Sequence, residues 1–351
     1  MKGDRPKNPP GRGRGLRPLR WLLWLPVPLL LYWALRGVRL EPLVLILGRL
    51  SWGRLGILLA VNLAYFAAVT GRWVWVLHGL GERLSARAVL RLAASRLAGF
   101  AVSYLTPGPQ FGGEPVQLAL ARRWTGLNYT CGSASLLLDK SFELAGNFAF
   151  LGVGVLALRS VPGIGGGSLG SAALFLPALL VLLPIAYLAA AFSGRRPLFA
   201  LAARLPARSR PWHTRLLAFL AASEAEVTAY GRRPWRALLQ VLLSFAAVWS
   251  LSVLEQWLTL RFLGLPFGLS QTLLLQAGVK LAMLLPFPGA LGAMEAAQRT
   301  LFGWLGYGPE TAMALSLYVR VRDLSFALAG LVAAAAGSRR SSRAGRAPQT
   351  K

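Results

Sequence analysis

Long apolar stretches, separated by basic or glycine-rich connectors, run along most of this 351-residue chain. A bilayer core of about 30 Å takes about 20 mostly apolar residues in a helix. Six stretches approach that length: 20–36, 55–79, 132–158, 171–193, 237–263 and 311–336. The first is short and is interrupted by Pro26 and Pro28. Two further apolar segments stop short of a crossing. Residues 92–106 run into Pro107 and Gly108, then Gly112 and Gly113; residues 271–287 contain Pro286 and run into Pro288, Gly289 and Gly292. Each continues past its break as a second helix-like stretch, which predicts a re-entrant hairpin whose broken backbone is buried in protein or faces a wet cavity. The expected fold is an all-α integral membrane protein with about six transmembrane helices and two re-entrant hairpins.

The two hairpins also repeat one another. Pro107, Gly108, Glu114 and Gln117 recur as Pro288, Gly289, Glu295 and Gln298, each at an offset of 181 residues. The order span, hairpin, span occurs over 55–158 and again over 237–336.

Charge sets the expected orientation. Lys and Arg number 39 against 12 acids, and the net charge is +27. The bases lie at the chain ends and between apolar runs, a distribution that suits headgroups and cytoplasmic loops rather than nucleic acid. Segment 1–19 reads as a basic disordered tail, 20–337 as the membrane domain and 338–351 as a second basic tail. The connector 194–236 has nine bases and two acids, whereas 264–270 has no charge. Placing both tails, segment 81–96 and that connector in the cytoplasm gives an alternating path of six spans, with Arg36, Arg39, Arg49 and Arg54 as the misfit outside. On this path the first hairpin enters from the cytoplasm and the second from the exterior. An inverted repeat with broken helices is a transporter architecture.

The chemistry of a metalloenzyme or a His-based hydrolase is not expected. The chain has one cysteine, Cys131, and two distant histidines, His78 and His213. No metal, cofactor or catalytic residue is assigned, and no cleavable signal peptide is read. What remains is intramembrane charge. Glu114 opens a helix-like stretch after two glycines, where it either caps the helix or belongs to an anion site. Glu295 lies inside the second arm. Asp139, Lys140 and Glu143 fall in one span, with Asp139, Glu143 and Asn147 on one face, and Lys140 in reach of Glu143. Arg320, Arg322 and Asp323 fall in the last span, with Arg320 in reach of Asp323. Such charges normally face a bundle interior or a wet cavity. Asp139 and Arg320 share the 181-residue offset. They are expected to meet near the pseudo-two-fold axis, either as a headgroup track or as a structural ion-pair network. Lys280 either meets a phosphate or snorkels to the interface. Glu255 and Arg261 are placed near the outer end of their span, and Trp73, Trp75, Trp249 and Trp257 are read as interface anchors.

FGGEPVQLALARRWTG, LLLDKSFELAG, LPFPGALGAMEAAQ and YVRVRD follow in that order. Together they resemble the flippase-like transmembrane region of the lysylphosphatidylglycerol synthase family, over roughly residues 20–337. The resemblance implies a lipid-translocating membrane domain, with family-type polar positions at Glu114, Asp139, Glu143, Glu295 and Arg320. It also implies a stand-alone membrane region, since the aminoacyl-transfer domain of full-length synthases is expected to be missing here. Ala290 stands where the family often has glycine.

The expected function is therefore movement of a phospholipid or lipid-linked molecule between leaflets, without enzymatic activity. Substrate contacts are assigned to Glu114, Asp139, Lys140, Glu143, Lys280, Glu295, Arg320 and Asp323, and the backbone breaks to the Pro and Gly residues named above. Membrane lipids, anionic or aminoacylated, are the expected partners in a cell membrane, with homo-oligomerisation left open. The alternative is an ion-coupled transporter of a soluble substrate. A headgroup-acting enzyme and a purely structural partner protein are further readings.

Overall fold

The computed structural model describes residues 26–106, 112–158, 169–205, 211–285 and 287–344. Pro107, Gly108 and Pro286, the 1–19 tail, the 345–351 part of the tail assigned to 338–351, and most of the 159–170 loop lie outside the described residues; 338–344 instead continue the last helix. The described secondary structure is helical throughout. Two short helices, α1 (Pro26–Leu35) and α2 (Leu40–Leu47), lead into the long α3 (Trp52–Gly79). Next come α4 (Ala86–Leu105), α5 (Glu114–Thr125) and α6 (Tyr129–Leu158). Then follow α7 (Leu169–Phe192), the short α8 (Pro197–Ala203), α9 (Pro211–Gly231) and α10 (Trp235–Phe262). The chain finishes with α11 (Leu269–Met283), a 3-10 turn at Pro288–Ala290, α12 (Ala293–Trp304) and α13 (Pro309–Ala344).

Local sequence sets several of these boundaries. Ser51 and Ser85 precede α3 and α4, and their hydroxyls accept from the N–H groups of Arg54 and Ala88. Gly126 ends α5 at φ 79°, in the left-handed conformation that commonly closes a helix. Arg299 of α12 closes α1 differently, donating to the carbonyls of Trp33, Ala34 and Arg36 at its C-terminus. A cation there also opposes the negative end of the helix dipole.

Among the described residues, five helices are long and apolar enough to cross a membrane: α3, α4, α6, α10 and the 175–192 part of α7. The chain is a multi-pass membrane protein, and this count differs from the expected six in three places. The described part of the first expected span is the ten-residue α1, about 15 Å long and too short to cross. The first hairpin arm, expected over 92–106, is instead the 20-residue α4, because Ser85 caps a helix whose first turns carry Arg87 and Arg91. The last expected span lies within the 36-residue α13, whose middle carries Arg320, Arg322 and Asp323.

Packing is reciprocal between the chain's two halves. Helix α4 turns back through α5 and packs along α13, while α11 turns back through α12 and packs along α6. The first long helices of the two halves, α3 and α10, pack on each other. The largest apolar core gathers α11, α12 and α13, with Phe267, Met294 and Phe302 fully enclosed.

Candidate functional site

The first hairpin is built on a close backbone approach. A Cβ on Gly113 would collide with the Gly99 carbonyl, and one on Gly99 would come within 2.9 Å of the Gln117 Cβ. Two glycines therefore let α4 and α5 touch, and the Gly113 N–H donates to the Ser103 hydroxyl at 2.8 Å. The turn delivers Glu114 to the first position of α5. Its carboxylate accepts from the Gly112 N–H at 2.9 Å and lies 3.2 Å from the Lys140 ammonium on α6. Glu114 stands at the helix start without a side-chain cap bond to the helix itself; its carboxylate holds the preceding glycine turn and joins α5 to α6 through the ion pair with Lys140.

Lys140 also pairs with Glu143 at 3.1 Å, the contact its helical spacing predicts. Glu143 reaches Arg72 of α3 at 3.6 Å. Asp139 is turned away from this rim. It is 2% exposed, with one oxygen 2.6 Å from Arg72 Nε and the other 2.8 Å from Arg96 Nη2. One buried carboxylate thus ties α3, α4 and α6 together.

The second hairpin has its own version of this arrangement. Glu295 accepts from the Gly292 N–H at 2.8 Å and pairs with Arg320 of α13 at 2.7 Å. The Arg320 guanidinium also donates to the Gly289 carbonyl at 2.5 Å, the Ala290 carbonyl at 3.3 Å and the Tyr104 hydroxyl at 3.0 Å. It braces the Pro288–Ala290 turn, in which Gly289 has φ 56° and Ala290 φ 51°. Ala290 is the non-glycine residue here in the left-handed region, where a side chain costs about 1 kcal/mol or more. Gly112 and Gly292 also have positive φ, at 133° and 77°.

Several expectations fail on these partners. Asp139 and Arg320 do not pair with each other. Each forms its ion pairs within its own half, Asp139 with Arg72 and Arg96 and Arg320 with Glu295, while the hydrogen bond from Arg320 to Tyr104 crosses to the first half. Asp323 pairs with Arg322 at 2.8 Å rather than with Arg320. Glu255 is buried and 3.0 Å from Arg322, not hydrated at an interface. Trp73 is fully buried and donates to the Ser135 hydroxyl at 2.9 Å, and Trp249 lines an internal cavity beneath Lys280. Both read as interface anchors only because sequence gives an indole's location, not its direction.

Two cavities meet at this network. The first, about 300 Å³, is lined by charged side chains set among apolar ones and lies between α3, α4, α5, α6, α10, α11 and α13. Its wall contains Arg72, Arg96, Lys140, Lys280 and Arg322 among cations, and Glu114, Glu143, Glu255 and Asp323 among carboxylates. The second, about 1040 Å³, is an apolar groove along α5, α6, α7 and α9. It opens to the outer surface beside Leu183, which is 62% exposed. Glu114 and Lys140 line both. Of the sequence-assigned contacts, Glu114, Lys140, Glu143, Lys280 and Asp323 reach the polar cavity. Asp139, Glu295 and Arg320 stand behind its wall as bracing.

Sequence reading missed Arg72, Arg96, Tyr104 and Ser103. The signal for Arg72 was available, since it is a lone base deep in an apolar span, where a charge needs a partner. Arg96 carried the same signal more weakly.

A helical membrane protein with an ion-paired polar cavity opening beside an apolar groove is the class these features define. The chain belongs to the family described as the lysylphosphatidylglycerol synthase TM region, which matches residues 24–330. That membership ties it to membrane-lipid biology. Neither a curated protein nor a solved structure gives a significant match.

Proposed function

We propose that this protein moves a phospholipid or lipid-linked molecule between leaflets, as a flippase-like transporter and not as an enzyme. The observation that carries the reading is the shared wall: Glu114 and Lys140 line both the polar cavity and the apolar groove. A lipid has the same two-part chemistry. Its headgroup needs hydrogen bonds and charge in place of water, while its acyl chains need apolar surface. A soluble substrate has no use for a groove of about 1040 Å³ that opens at the apolar surface.

Alternation between leaflets is supported by the two halves. Each hairpin places a glutamate (Glu114, Glu295) on a cation of the following long helix (Lys140, Arg320). The reciprocal packing of α4 on α13 and α11 on α6 fits an inverted repeat. Such a repeat has two nearly equivalent arrangements, open to opposite sides. In this mechanism the headgroup displaces the partly exposed Glu114–Lys140 pair, the hairpins rock about their glycine turns, and the tails stay in lipid. Asp139 and Arg320 hold the helices that move. Both chain ends lie in the cytoplasm, and the protein works in the cell membrane.

The test is leaflet exchange in liposomes. Full-length protein is reconstituted with fluorescent phospholipids, and dithionite-accessible signal is followed. Accelerated exchange that E114Q slows while folding is retained supports the proposal. No acceleration with any anionic, zwitterionic or aminoacylated lipid, with or without a proton gradient, rejects it.

A further inference from the structure

Lys280 differs from every other cation of the polar cavity. Arg72, Arg96, Lys140 and Arg322 each lie within ion-pair distance of a carboxylate. No carboxylate lies within 4.0 Å of Lys280 among the described residues. Its ammonium instead sits 5.2 Å from the ring centroid of Trp249, and Phe150 stacks on the same indole at 4.4 Å. An aromatic face attracts a cation without neutralising it. The charge is held in place and left open.

A second, independent observation points the same way. Arg96 Nη1, Gln117 Nε2 and Gln256 Nε2 are buried without hydrogen-bond partners, and all three residues line this cavity. All three atoms are donors. An unsatisfied buried donor is costly, so the wall lacks acceptors rather than donors. Each of the four wall carboxylates already has a cationic partner.

We propose that Lys280, seated on Trp249, binds with Arg96 and the two glutamine amides the phosphodiester of an anionic headgroup, and that headgroups carrying an added amine are disfavoured. A phosphodiester brings one negative charge and several acceptor oxygens, which is what the wall lacks. An aminoacyl amine would bring a further cation to carboxylates that are already engaged. The anion site stands on the cavity alone; the choice of a lipid as its source rests on the translocation reading.

The test is ligand-induced thermal stabilisation of the full chain in a neutral detergent. The probes are dihexanoyl phosphatidylglycerol, its lysyl ester, dihexanoyl phosphatidylcholine and glycerol 3-phosphate. Phosphatidylglycerol is expected to bind tightest, and K280Q to weaken it about tenfold or more, as loss of a charge-assisted contact does. K280R is expected to stay within about threefold, because it keeps the charge. Equal binding by wild type and K280Q overturns the proposal, and so does a lysyl ester that binds as tightly as phosphatidylglycerol. If K280Q does not fold, W249L carries the same test: weakening of about threefold or more supports the site, and unchanged binding overturns it. Glycerol 3-phosphate binding as tightly as the lipid, and sensitive to K280Q, keeps the anion site and counts against the lipid reading.

Discussion

Arg72 reaches Asp139 across the α3–α6 interface with a nitrogen–oxygen distance of 2.6 Å, and both side chains are almost completely shielded. Arg96 completes the arrangement from α4. Removing the carboxylate leaves Arg96 without its ion-pair partner and Arg72 with only the longer contact to Glu143, which costs about 3–5 kcal/mol for a broken buried pair. D139A is therefore expected to lose folded, monodisperse protein in size-exclusion chromatography and thermal unfolding. A stably folded D139A would show that this triad is not structural.

The Glu114–Lys140 pair has the opposite profile. Both side chains are 24% exposed, so breaking the pair costs no more than about 1 kcal/mol in stability. E114Q is expected to fold and to slow leaflet exchange about tenfold, an increase of about 1.4 kcal/mol in the barrier. Unchanged exchange in E114Q would separate the pair from transport.

Gly113 has no room for a side chain. G113A drives a methyl group into the Gly99 carbonyl and the Ser103 hydroxyl, contacts that backbone atoms cannot avoid without shifting α4 from α5. Overpacking of this kind costs about 1–3 kcal/mol, read as a lower melting temperature. G53A, in α3 at a position with nothing within 4 Å, is the control and is expected not to lower it, since alanine favours a helix over glycine.

Ala290 gives a prediction of opposite sign. At φ 51° glycine is free of the penalty that alanine bears, so A290G is expected to stabilise the protein by up to about 1 kcal/mol. At Arg320, R320K loses the fork that holds the Gly289 and Ala290 carbonyls together with Glu295. Its melting temperature is expected to fall, and A290G is expected to offset part of that fall. Both effects are read in one thermal series.

Orientation is open to cysteine labelling, because the native Cys131 is buried. Arg232 lies just before α10 and Leu269 opens α11 past the other end of α10, and both are exposed. A cysteine at 269 is expected to react with an impermeant maleimide in intact cells, and one at 232 only after permeabilisation. The reverse pattern would invert the topology.

What was legible in the sequence followed from periodicity and from spacing within one helix. The long apolar runs gave α3, α6 and α10 to within a few residues, and the Lys140–Glu143 contact followed from its i,i+3 spacing. The glycine-glutamate pattern located the starts of α5 and α12. Cross-helix partners were not legible. Asp139 and Arg320 share the 181-residue offset, yet each finds its ion-pair partner inside its own half, which only the direction of packed helices decides. The length of α4 was obscured by Arg87, Arg91 and Arg96, which interrupt its apolar run although the helix continues through them.

The central claim is that one lipid spans both compartments, with its headgroup in the polar cavity and its tail in the groove. Photo-crosslinking with a phosphatidylglycerol carrying a diazirine on its acyl chain, mapped by mass spectrometry, tests this directly. The account predicts adducts concentrated on groove residues such as Leu137, Leu144, Phe148 and Leu183, lost on competition with unlabelled lipid. Adducts spread equally over lipid-facing positions outside the groove, such as Leu243 and Leu328, would contradict it.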